Sequence, residues 1–184
     1  MKKILALAAV LLLAASAAFA QLGTGTVNTN LNITVIPEAA LTIQTPNTSL
    51  TSPGTLFSNY TGTTNFTYFV RTAVSGGVSH ITLAVTTDFA GSGIVGPSVG
   101  SPLDAADLLT YVPTVPNPSK HGTSTVPSSA VSAALTSTAV TAFSTDARTD
   151  RGGVSSSVAW TLVNDPDYQT GSYTAVVTFT ISLT

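Results

Sequence analysis

Apolar and polar residues alternate with a period of two along much of the chain, in short runs separated by glycine, proline and asparagine. The last run is the clearest. Tyr173, Ala175, Val177, Phe179, Ile181 and Leu183 share one parity, and Thr174, Thr178, Thr180 and Ser182 the other. An extended chain turns alternate side chains to opposite faces, so the run predicts a strand with one buried face. Its apolar set predicts a central position, with Tyr173, Val177, Phe179 and Ile181 facing inward. Val158, Trp160 and Leu162 alternate in the same way ahead of the turn Asn164–Asp167, where Pro166 presets φ and the Asn or Asp side chains can bond the backbone ahead.

Earlier runs are shorter. Phe66, Tyr68 and Val70 alternate with polar neighbours, as do Ile81, Leu83 and Val85, with Gly76-Gly77 between the two sets. This pattern predicts a hairpin of Phe66–Arg71 with Val78–Thr86. Leu41–Ile43 begins a short strand that Pro46-Asn47 closes. Over residues 24–36, Val27, Leu31, Ile33 and Val35 share a parity with Thr29, against Asn28, Asn30, Asn32 and Thr34. That is a further predicted strand, ended by Pro37, which offers no ladder N–H. Phe89–Ser129 is rich in glycine and proline and predicts a long surface connection. Ser101-Pro102-Leu103-Asp104 fits a helix start with Ser101 as N-cap and one or two turns through Leu109. Val131–Phe143 is ambiguous, with extended chain favoured over Ala139–Phe143. Several alternating strands without long helices predict an all-β fold, an antiparallel β-sandwich with one long central loop.

The first twenty residues read differently. Lys2-Lys3 precedes an unbroken apolar run from Ile4 to Ala15, and Ala18-Phe19-Ala20 is a small-x-small cleavage site. This is the pattern of a secretory signal peptide over residues 1–20, which leaves 21–184 as a single domain. The expected destination is the periplasm, cell surface or medium. No later apolar run reaches the ~18 residues of a membrane span, so none is expected after cleavage.

Composition narrows the chemistry. Charged residues make up 8% of the chain, against ~25% in ordinary globular domains. Beyond residue 20 there are 32 Thr and 20 Ser, and the basic residues are Arg71, Lys120, Arg148 and Arg151. Four scattered cations do not neutralise a phosphate backbone, so nucleic acid is excluded as an expected partner. The absence of cysteine excludes disulfides, thiolate metal sites and cysteine nucleophiles.

Candidate catalytic groups are few. Gly96-Pro97-Ser98-Val99-Gly100 has the spacing of a nucleophile elbow, but that device needs a strand entering and a helix leaving within an α/β sheet. The histidines are His80, at a strand start, and His121, in a loop. Neither has acidic neighbours in sequence, so no metal site is expected. Asp146 and Asp150 precede the Trp160 strand and Asp165 and Asp167 follow it. Such a strand is about 30 Å long at ~3.3 Å per residue, too long for the two pairs to share one ion. Asp104 and Asp107 fit the first turn of the short helix. Trp160 reads as core, with a carbohydrate platform as the alternative. Tyr60, Tyr68, Tyr111, Tyr168 and Tyr173 are too dispersed in sequence to define a sugar site. No catalytic, cofactor-binding or metal residues are therefore expected, and no cofactor.

Three stretches carry a resemblance: Thr26–Val35 after the signal peptide, Asn59–Gly62 with Phe66–Arg71, and Gly171–Leu183. Together they resemble the secreted pilin-like domains of the spore coat U type, related to chaperone–usher pilus subunits. The resemblance implies an immunoglobulin-like sandwich, often completed by a neighbour's strand, and a periplasmic chaperone or self-assembly as partner. Members carry a cysteine just after the first strand, about where Glu38–Leu41 lies, and this chain has none. The expected function is that of a non-enzymatic structural or surface-assembly subunit. A binding module for carbohydrate or a protein ligand, using the Phe89–Ser129 loop, is the alternative. Val27, Thr29, Leu31, Ile33 and Val35 form the candidate donor strand, able to pair within its own domain or to extend the open edge of another copy.

Overall fold

The computed structural model describes residues 29–91 and 95–184. The expected signal peptide and Val27 lie outside the described residues. Val35–Thr184 forms one compact unit.

Within it the chain is all-β and antiparallel, and no helix occurs among the described residues. The strands are β1 (Glu38–Ile43), β2 (Tyr60–Arg71), β3 (Ser79–Gly91), β4 (Leu109–Thr114), β5 (Ser124–Thr125), β6 (Val131–Ser132), β7 (Thr138–Phe143), β8 (Val154–Leu162) and β9 (Tyr173–Leu183). One sheet has the order β1-β2-β8-β4-β6 and the other β5-β7-β3-β9. Their inner faces share one core. Phe66, Tyr68 and Val158 come from the first sheet and Ile81, Leu83 and Val140 from the second, all essentially without exposure. Aromatic pairs cross between the sheets: Phe66 lies 5.6 Å from Phe179, and Tyr68 lies 4.6 Å from Phe143. The Tyr111 hydroxyl on β4 donates to the Ala139 carbonyl on β7 at 2.7 Å, so a buried polar atom ties the sheets together without being left unsatisfied.

Alternation locates the strands well and their partners poorly. Phe66–Arg71 and Val78–Thr86 do not form a hairpin. β2 pairs with β1 and β8, whereas β3 pairs with β7 and β9. Both strands need an inward apolar face, and residues 72–78 carry the chain from one sheet to the other. Thr72 is fixed there, its amide bonded to the Ala147 carbonyl and its hydroxyl to that of Ser144. β9 keeps its predicted bounds and parity, but it is an edge strand and not a central one. Among the described residues its ladder partner is β3 alone, and its inward residues stay half-buried.

The stretch read as a surface connection contains β4, with Leu109 and Tyr111 buried. Pro113 is tolerated because β6 pairs only with Thr110 and Tyr111, so beyond them β4 is itself an edge. The predicted helical turns at Ser101–Leu109 are absent. Asp104–Asp107 forms a hydrogen-bonded turn instead, in which the Asp104 amide bonds the Asp107 carboxylate at 3.0 Å. Side-chain acceptors compete with helical bonding in this way. At the N-terminus, Thr29–Pro37 forms no strand, and the first strand begins just after Pro37 rather than ending before it.

Candidate functional site

The registers define two poles. Tyr60, Leu109 and Leu162 end their strands at one pole, and Gly91 pairs with Tyr173 there. Arg71 pairs with Glu38 at the other pole, where Ser79 meets Leu183 and Phe143. β2 separates the poles by roughly 36 Å at ~3.3 Å per residue.

At the first pole the inner face of β9 is incompletely covered. A groove of about 960 Å³ opens there between the segment after β1, the 164–172 loop and β9. It lies within the size range of ligand pockets. Its aromatic wall comes from Phe57, Tyr60, Phe89, Trp160, Tyr168 and Tyr173. Three tyrosines that look dispersed in sequence are thus brought together, while Tyr68 and Tyr111 belong to the core. Loop geometry does this, and periodicity carries no sign of it. Trp160 is only 5% exposed and its Nε1 donates to Thr64 Oγ1 at 2.8 Å, so it is a core residue that lends an edge to the groove. Phe57, at φ 51°, is the exposed aromatic of the rim.

The carboxylates near Tyr168 are unusual, and of these Asp165 lines the groove. Asp107 is buried, and its carboxyl pKa is raised by burial, by a hydrogen bond with Asp165 and by the charges of Asp165 and Asp104. The Tyr168 hydroxyl beside them is buried without a hydrogen-bond partner. Burial and the charges of Asp107 and Asp165 push it up to about 12. A carboxyl raised in the folded state favours its protonated form, so its contribution to stability is full below the ordinary value of ~3.9 and is lost as pH rises through the folded value. Asp107→Asn keeps the oxygen that accepts from Asp104. It is therefore expected to raise the melting temperature at pH 7, with the gain shrinking as the pH is lowered toward ~4. A gain that is constant across this range, or a loss at pH 7, would contradict the paired-carboxyl account.

Ser98 has a structural partner. Its hydroxyl donates to Asp88 Oδ2 at 2.8 Å, and the Asp88 carboxylate also accepts from the amides of Phe89, Val99 and Gly100. Partial burial pushes Asp88 up, but the Val99 and Gly100 amides, the Ser98 hydroxyl and the Phe89 amide together outweigh it and hold the carboxyl below the usual range. The arrangement clamps the loop after β3. His80 is eight residues up β3 from Asp88, roughly 25 Å along the strand. His121 is at the opposite pole.

There His121 Nδ1 lies 3.3 Å from Asp146 Oδ2, a neighbour remote in sequence, and Arg148 Nη2 lies 3.2 Å from the same oxygen. The two aspartate pairs flank β8 at opposite poles. Among the described residues no three His, Asp or Glu side chains converge as metal ligands, and no helix is long and apolar enough to cross a membrane.

The candidate donor strand is described from Thr29 onward. Leu31, Ile33 and Val35 are 92%, 87% and 60% exposed. Isolated exposed apolar residues are commonplace; here three recur at alternate positions of a segment that forms no strand. The fold is that of a two-sheet antiparallel β protein, with β1, β6, β5 and β9 at the sheet edges among the described residues. No family model matches the chain, and no curated protein or solved structure matches it either.

Proposed function

We propose that the chain is a secreted, non-enzymatic surface-assembly subunit, pilin-like in its use of strand addition and immunoglobulin-like in its sandwich. One observation carries the reading. An alternating segment with Leu31, Ile33 and Val35 in solvent coexists with an edge strand, β9, whose inward side chains are half-buried and whose outer ladder groups have no partner strand among the described residues. A donated strand satisfies both needs: main-chain bonds extend the sheet and the apolar row covers the seam. The Thr-rich, charge-poor surface offers little repulsion to close stacking. Periplasm, cell surface or medium is the place of action, and a periplasmic chaperone is the natural holder of the open edge before assembly.

A second reading, a binding module for carbohydrate or a protein ligand, is favoured by the aromatic groove with its Asn164 and Asp165 rim.

The first reading is tested on residues 21–184. Detergent-resistant, heat-sensitive oligomers are expected. Ile33→Asp should abolish them, and a peptide of residues 24–36 should bind the resulting monomer and raise its melting temperature. A wild-type chain that stays monomeric at high concentration, or a monomer that ignores the peptide while binding a glycan saturably, would favour the second reading.

A further inference from the structure

The few charges of this protein are unevenly divided between the poles: Glu38, Asp146 and Asp150 share one pole with the cations, and the remaining acids lie at the other. Among the described residues every Lys and Arg lies at the Arg71 pole: Arg71 at the end of β2, Lys120 before β5, and Arg148 and Arg151 between β7 and β8. These segments are tied together, since the Lys120 and His121 amides both bond the Arg148 carbonyl. Arg71 is neutralised by Glu38 at 2.7 Å and Arg148 by Asp146 at 3.2 Å. Lys120 and Arg151 have no such acid among the described residues, and both are exposed. The groove pole carries Asp88, Asp104, Asp107, Asp165 and Asp167 and, among the described residues, no cation. Asp165 lines the groove, and Asp104 and Asp167 are exposed at the same pole.

We infer that the acidic aromatic groove of one copy receives the Lys120 and Arg151 loops of a second copy, so that subunits stack pole to pole in a single direction. The occupant follows from charge complementarity. The groove pole is acidic, and every cation of the described chain lies at the opposite pole, out of reach of its own groove. The geometry agrees with the assembly reading, on which this inference rests. Arg71 Nε donates to the Ile36 carbonyl at 3.0 Å, so the chain enters the compact unit at the cationic pole. Contact between two different surfaces is heterologous and does not close, which yields filaments rather than dimers. Charges at such a contact set orientation and encounter rate and are weakened by salt.

Sedimentation of residues 21–184 tests this. Lys120→Glu/Arg151→Glu and Asp104→Lys/Asp167→Lys change exposed residues only, and circular dichroism with melting checks that both fold. Each is expected to raise the dissociation constant at low salt about tenfold or more. An equimolar mixture should restore association to within about threefold of wild type, because it recreates opposite charges across the contact. Raising the salt to ~0.5 M should weaken wild type and, by screening the like-charge repulsion, strengthen each variant, so that the three converge. Unchanged association in either variant, a mixture as weak as its components, or a wild type that does not associate overturns the inference. If Ile33→Asp abolishes assembly while the charge variants assemble normally, the polar contact fails and strand addition stands. If the charge variants weaken association and Ile33→Asp does not, the reverse holds. Saturation of the groove by a neutral oligosaccharide without loss of association also overturns it.

Discussion

Phe66→Ala is expected to lower the stability of the domain by ~3–5 kcal/mol, the largest single-residue loss in the shared core. Phe66 has no exposed surface and lies on β2, which is paired on both sides. Its ring meets Phe179 across the sheets at 5.6 Å. β2 cannot shift to fill the cavity, because it is held by β1 and β8. Phe179 is the other half of that pair, but it sits half-buried on the edge strand, where neighbouring chain and solvent relax into the gap. Phe179→Ala should therefore cost roughly half as much. Thr178, which faces outward and exchanges a hydroxyl bond with Thr86 at 2.9 Å, should cost least when changed to Ala. For a domain of this length each kcal/mol shifts the melting temperature by ~2–4 °C, so the three variants separate in a thermal scan. Equal losses for Phe66→Ala and Phe179→Ala would mean that β9 is covered on both sides and offers no open edge.

The contrast between these two phenylalanines marks what the sequence can say. Period-two alternation reports a strand's faces, and Tyr173–Leu183 has the bounds and parity that its pattern predicts. It does not report how many neighbours a strand has. Phe179 looks as central as Phe66 because the same apolar alternation serves an edge strand whose face is half covered. Partner choice fails for a related reason. Gly76-Gly77 reads equally as a hairpin turn and as a crossing between sheets, and only the placement of Thr72 against Ala147 and Ser144 decides between them. β4 escaped notice because prolines dominate its surroundings, although Leu109 and Tyr111 carry the needed parity. The groove was illegible for a stronger reason. Tyr60, Tyr168 and Tyr173 belong to a strand end, a loop and another strand start, and no periodic signal links such positions. The Asp107–Asp165 pair and the His121–Asp146 contact are likewise products of tertiary pairing between distant turns. The alternation of Leu31, Ile33 and Val35 predicts a strand, but the structure forms none over Thr29–Pro37, because no neighbouring strand among the described residues offers that segment a ladder.

Gly153→Ala is expected to cost roughly 2–5 kcal/mol, and it links local backbone chemistry to the cationic pole. Gly153 has φ 69°, in the left-handed region that disfavours side chains. It is also packed. A Cβ there would lie 2.6 Å from Thr67 Cγ2, 2.7 Å from the Phe69 ring and 2.8 Å from the Tyr68 carbonyl oxygen. Two of those obstacles are side chains, but the carbonyl belongs to the β2–β8 ladder, where Tyr68 faces Val154, and it cannot yield without breaking register. The turn before it is already committed: the Gly153 amide bonds the Asp150 carbonyl, the Gly152 amide bonds the Asp150 side chain, and the Asp150 amide bonds Ser119. These bonds set Arg151 beside the Lys120 segment. Forcing the turn outward should thus lower the melting temperature by roughly 4–20 °C, and in the fraction that still folds it should weaken association as Arg151→Glu does. A Gly153→Ala protein that melts within ~2 °C of wild type would show that the turn relaxes freely. The Arg151 loop would then be too loosely held to fix the direction of stacking.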